Sequence, residues 1–255
     1  MNSRFKVPDY DSFINKHQLQ ALMEPGDLSP TDGDFALTKD GDLKIGDDLY
    51  SGLFRFVQAW RYHCPHIRQL FELAQDMTSH RPALENQLEQ ALLEAHEKFS
   101  SSPDREHFDK YHELNDQIDA DEFGHKIYAS CIILLIDANL RRLKDDIEAR
   151  DSVWAACKPD FNCVSLGDLV KASANSFRHA DEWAKSPVPT PRQKTSQTLL
   201  NRAMRNTLDD WQERIVDCSA VLRNLSDGWR FEALEAAVIG FANNLVERVR
   251  ESGRH

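Results

Sequence analysis

The chain lacks the local signatures of most enzyme classes. It has no Gly-rich phosphate loop, no nucleophile elbow, no H-E-x-x-H pair and no Cys/His triad pattern, which argues against an ordinary metabolic enzyme whose site is written in one segment. Its five cysteines, Cys64, Cys131, Cys157, Cys163 and Cys218, are odd in number and never spaced C-x-x-C. That argues against a disulfide framework and a thiolate zinc site, and points to a reducing, cytoplasmic setting. Long apolar runs are missing too. The longest, Ile127 to Ile136, stops at Asp137, well short of the roughly 20 residues that span a bilayer. The opening MNSRFKVPDYDSFINKHQ is charged throughout, so neither a secretory leader nor a membrane partner is expected. No repeat recurs at solenoid periods.

Positive charge is also in short supply, with a net charge of −11. Residues 1–79 carry 12 acids against 8 Lys/Arg, residues 80–160 carry 18 against 10, and residues 161–255 carry 12 against 13. The summed field repels phosphate, so whole-chain nucleic-acid binding is excluded. One local basic stretch survives, with Lys185, Arg192, Lys194, Arg202 and Arg205 and no acid between them. It suits an acidic partner protein or RNA phosphates, or complements the chain's own acidic middle; no aromatic residue is interleaved for base stacking.

What is abundant is helical periodicity. Near the N-terminus FALTKDGDLKI alternates instead, and a three-residue loop Lys39-Asp40-Gly41 pairs Leu37 with Leu43 and Phe35 with Ile45. Its third residue must be left-handed, and that residue is Gly41. Such a hairpin is marginal alone and must pack on helix. Asp47 or Asp48 then caps a helix carrying Leu49, Leu53, Val57 and Trp60, continued from Pro65 through Met77, and His80-Arg81-Pro82 predicts a break. Beyond it lie a stripe of Leu84, Leu88, Leu92, Ala95 and Phe99, a short polar helix near 104–116, and a long buried helix over 118–149. Leu166, Leu169, Val170, Ser173 and Phe177 share one face, and SPVPTP (186–191) is an extended linker. A heptad-like seam of Leu200, Met204, Leu208, Trp211, Ile215, Ser219 and Leu222 resumes after Gly228 as Leu234, Val238, Phe241, Leu245 and Val249. The expected fold is mainly α: a bundle of four or more long helices over 80–255, preceded by a hairpin-plus-helix element over 1–79.

Three constellations bear on chemistry. In ANSFRHADEWAK, Arg178 and His179 each lie within a turn of Glu182, beside Asp181, with Phe177 and Trp183 as apolar anchors. The stretch reads either as a charged helix end or as a site where Arg178 holds phosphate and His179 moves a proton. Asp104–His107, Asp109–His112 and Glu122–His125 form three carboxylate-x-x-His units, the spacing that di-metal bundles use, although acids are so frequent here that such pairs arise cheaply. Asp137, inside the apolar helix, needs a partner, and Arg141 four residues on supplies one.

The run Asn175 to Trp183 resembles N-x-aromatic-[KR]-H-x-[DE]-E-W segments of bacterial helical proteins. In an all-helical chain it is similar to the HEPN superfamily of four-helix ribonucleases and toxin-type defence proteins. The resemblance covers about a dozen residues. It implies a metal-independent ribonuclease with Arg178 as phosphate binder and His179 as general acid/base across a dimer interface. The family's catalytic His follows its Arg by four to six residues; Trp183 stands there after Arg178, and Arg223-Asn224 runs into Trp229. Arg61–His66 and Arg105–His112 keep the spacing at the frequency chance supplies. The resemblance therefore implies a non-catalytic relative. The expectation is a non-enzymatic cytoplasmic interaction module of a bacterial or phage conflict system, without cofactor, whose surface is the Phe177–Arg205 corner with the hairpin and whose partner is another protein. RNA and a second copy of the chain are the alternative partners, and a carboxylate/His metal bundle is a further alternative.

Overall fold

The structure, a computed structural model, describes residues 6–24, 26–28, 30–31, 34–38, 41–101, 105–185, 188–205 and 217–253. The protein is mainly helical, as expected. A short helix α1 (Tyr10–His17) is capped by Asp9, whose side chain accepts from the Ser12 amide. Two two-residue strands, β1 (Pro30–Thr31) and β2 (Asp34–Phe35), pair antiparallel. Then come α2 (Asp48–Ser101) and α3 (Asp109–Asp146), joined through a 3-10 turn at Arg105–Phe108. A second small β pair, β3 (Asp160–Phe161) and β4 (Val164–Ser165), separates α4 (Asp151–Ala156) from α5 (Leu166–Arg178). The chain ends with α6 (Ala180–Lys185), α7 (Pro191–Met204), α8 (Cys218–Leu225) and α9 (Phe231–Ser252).

Local rules account for several helix starts. The Asp47 carboxylate accepts from the Tyr50 amide at 2.7 Å and opens α2. Ser165 caps α5 through the Asp168 amide, and Thr190 with Gln193 forms a capping box behind Pro191 at the start of α7, each satisfying amides that a helix start leaves open. The expected hairpin turn is present: Leu37 bridges Leu43, and Gly41 has φ +85°. Phe35 and Ile45 do not pair, however; Phe35 faces Pro30 and Ile45 faces Leu28, so a segment upstream of the hairpin takes its outer positions. Lys39 and Asp40 lie outside the described residues.

The expected break at His80-Arg81-Pro82 is absent, because α2 runs through both Pro65 and Pro82. Proline forfeits one helical hydrogen bond, but the stripe beyond it is buried against α3 in a seam of Leu84, Leu88 and Ala91 facing Tyr111, Leu114 and Ile118. That packing holds the helix together across Pro82. A boundary at 79/80 therefore falls inside one helix, and the main core draws on residues from Phe13 to Val246, on both sides of it. The polar helix expected near 104–116 merges into α3. The helix that carries the start of the heptad-like seam ends at Met204, with Arg205 left-handed at φ +53°. Leu200, Ser219 and Leu222 of its seam are buried; Leu208, Trp211 and Ile215 lie outside the described residues.

Two cores result. The main one is built from Leu53, Trp60, Ile67 and Phe71 of α2, Ile132, Ile136 and Leu140 of α3, and the inner faces of α5, α8 and α9. Among the described residues one helix, α3, is apolar and long enough by composition to cross a membrane, and its Ile132, Ile133, Ile136, Leu140 and Leu143 are buried in this core. The second core is the thin α2–α3 seam. A helix of 54 residues has a contour of about 80 Å at 1.5 Å per residue, whereas a sphere of this chain length is about 47 Å across. The α2–α3 pair beyond residue 80 is thus an arm that projects about 30 Å from the main core.

Candidate functional site

The arm concentrates the negative charge of the chain. Residues 80–124 contain 12 Asp/Glu against 4 Lys/Arg, a net charge of −8. Its buried seam is narrow, leaving Leu93 and Phe123 65% and 69% exposed on outer faces. At the tip Phe99 and His96 both meet the Phe108 ring edge-on, with centroids 5.7 and 5.5 Å apart, and Glu94, Glu97, Glu106 and Asp109, close to them in the chain, are exposed. The root is pinned. His125 Nδ1 lies 2.9 Å from both Thr78 Oγ1 and the Ala74 carbonyl, and its ring rests 5.3 Å from that of Trp229. Glu122 accepts from Lys126 at 2.6 Å and Arg81 at 3.2 Å, and these cations hold its carboxyl below the usual range.

Several members of the carboxylate-x-x-His units are engaged with separate partners. His125 serves α2, Glu122 serves two cations, and His112 packs on Tyr111 at 5.4 Å. Asp109 and His112 are exposed, His107 is half-buried and Asp104 lies outside the described residues. Among the described residues no three His, Cys, Asp or Glu side chains stand close enough to hold a metal ion. The reason is geometric: a di-metal site needs four helices converging on one centre, and the arm has two.

The ANSFRHADEWAK stretch is two helices rather than one, with His179 as the C-cap of α5. Arg178 does not pair with Glu182. Its Nη2 donates to Asp137 Oδ2 at 2.9 Å, while Arg141 Nε donates to Oδ1 at 2.8 Å. Asp137 is buried, so the packing of α5 on α3 places a carboxylate that needs neutralising beside Arg178. His179 is exposed and meets Glu182 at 3.1 Å. Trp183 is buried and Phe177 packs on the core, as the anchors should; the Asp181 side chain lies outside the description. Lys185, Arg192 and Lys194 are exposed. Arg202 and Arg205 instead hold the β3–β4 turn, donating to the carbonyl and side-chain oxygen of Asn162 at 3.1 and 2.9 Å. That turn carries consecutive left-handed residues, Asn162 and Cys163, and two guanidinium groups tie it to α7. Arg205 also lines an open groove of about 590 Å³ with Arg223 and Asn224.

A second cluster escaped the sequence reading. Glu235 of α9 is buried, and its carboxylate accepts from the Lys16 ammonium, meets His17 Nε2 at 3.2 Å and accepts from the Cys64 thiol at 3.3 Å. Burial acts to raise the Glu235 carboxyl, but the His17 and Lys16 hydrogen bonds and the Lys16 charge prevail and bring it to about 2. Burial and the neighbouring carboxylate push the Cys64 thiol up to about 12, so it stays protonated at neutral pH. The only sequence signal was Glu235 standing between Phe231 and Ile239, one carboxylate in an apolar row at helical spacing.

Comparison with known proteins returns no matching family model, curated protein or solved structure.

Proposed function

We propose that the chain is a non-enzymatic protein-interaction module that engages a cationic protein partner through the α2–α3 arm. The observation that carries this reading is the arm itself: about 30 Å of paired helix with its own thin core, a charge of −8 and outward-facing Leu93 and Phe123. Stability of the main core does not require such a projection, and exposed apolar residues among like charges mark a surface that meets a partner. The charge selects among a protein, RNA and a second copy of the chain as partner. Nucleic acid is repelled, and two arms laid side by side repel each other, whereas a Lys/Arg-rich surface with apolar anchors complements both features. A cytoplasmic setting accords with five unpaired thiols. The ribonuclease reading is less favoured, since the Arg178 guanidinium is committed to Asp137.

The test is calorimetric titration of the full chain with an amphipathic helical peptide of Lys and Leu, at two salt concentrations. Micromolar binding that weakens with salt, and that drops about ten-fold in a Leu93→Ser/Phe123→Ser variant of unchanged charge, is the expected result. Equal binding of poly-lysine to both proteins would show simple charge attraction and overturn the reading.

A further inference from the structure

The Glu235 cluster forms the floor of a cavity of about 400 Å³ between α1, α2 and α9, within the size range of small-molecule sites. Phe13, Cys64 and Pro65 give that floor an apolar surface, and all three are buried. The three partners of the Glu235 carboxylate are not equivalent. The His17 side chain is 8% exposed, the Cys64 thiol belongs to the core, and both are fixed. The Lys16 side chain is 52% exposed and reaches in from the last turn of α1, at the cost of freezing a long flexible stem. Lys16 is thus a cation that can be replaced.

We propose that this cavity is a binding site for a small aliphatic amine, whose ammonium group takes the place of Lys16 on Glu235 while its alkyl body packs on Phe13 and Pro65. An anion is disfavoured there. A second negative charge placed beside the Glu235 carboxylate is repelled by it, and the partly buried setting screens that repulsion little. Arg68, a rim cation, is already engaged by Glu232 at 2.9 Å and by the Phe231 ring at 4.1 Å. Asp9 and Glu72 add carboxylates to the rim, against Lys6, so a diamine gains a second partner that a monoamine lacks. The thiol on the floor stays protonated, which makes the site one of binding rather than of covalent chemistry.

The experiment uses the full chain and its Lys16→Ala variant, titrated with 1,4-diaminobutane, butylamine and, as an anionic control, butyrate. The variant should bind the diamine at least ten-fold more tightly than the native chain, with butylamine weaker and butyrate silent. It should also lose thermal stability that diamine, but not butyrate, restores as concentration rises. A Lys16→Ala/Glu235→Gln double variant should not bind; if it does not fold, rescue of the single variant is the deciding readout. Equal diamine affinity in native and Lys16→Ala proteins, rescue by butyrate, or binding retained without the Glu235 carboxylate overturns the proposal.

Discussion

Arg178 and Asp137 stand 41 positions apart in the chain and 2.9 Å apart in space, and their bond fastens α5 to α3. Arg141 holds the other oxygen of the same carboxylate, so the buried charge has two partners, each more than a third exposed. Removing one leaves the carboxylate singly neutralised. Arg178→Ala should destabilise the protein by about 1–2 kcal/mol, the scale of a charge-assisted hydrogen bond discounted for exposure. Urea melts of the wild type and the variant measure it; an unchanged midpoint would show that Arg141 alone suffices.

Glu235 makes acid stability predictable in sign. Its carboxyl lies at about 2 in the folded protein against an ordinary 4.5. Such a group contributes stability that is fully present above pH 4.5 and is lost as the pH falls through 2. The contribution amounts to about 3 kcal/mol at 1.36 kcal/mol per unit. Unfolding free energies of Glu235→Gln should therefore be flatter between pH 4.5 and 2 than those of the native chain.

The arm should unfold separately from the rest. Leu114 is one of three buried residues in its seam, and Leu114→Ala removes about 2–3 kcal/mol from a core with little to spare. Hydrogen exchange in the variant should accelerate over residues 84–118 while the amides of α5 and α9 keep their protection. Equal loss across the chain would show a single cooperative unit.

Gly167 should tolerate no side chain. A methyl group there would overlap the Trp154 ring and approach Phe241 Cζ to 2.7 Å, and both rings are buried. Gly167→Ala should cost about 1–3 kcal/mol through overpacking, read as a lowered melting temperature.

Thiol labelling should discriminate sharply. Cys163 is exposed on the β3–β4 turn, whereas Cys64, Cys157 and Cys218 are buried, with thiols pushed up by burial in all three cases. Iodoacetamide at neutral pH should modify Cys163 first, and the buried three only on unfolding. Mass spectrometry of a time course decides.

Much of this architecture was legible in the sequence, because helix formation is governed by neighbours three and four residues away. The apolar rows through Leu53, Leu84, Leu169 and Leu234, a cap at Asp47 or Asp48, the left-handed Gly41 and the Asp137–Arg141 pair all follow from residues within a turn or two of one another. What only the tertiary structure decided lies between residues far apart in the chain. Pro82 stays inside α2 because α3 packs across it, and no local rule for proline contains that helix. Arg178 turns to Asp137 rather than Glu182 because a buried carboxylate binds a cation more strongly than an exposed one does. Cys64 and Glu235, 171 positions apart, share a cavity floor only after α1 and α9 close on α2. Periodicity tells which face of a helix is buried, while the partner that face meets is set by how all the helices fill one volume together.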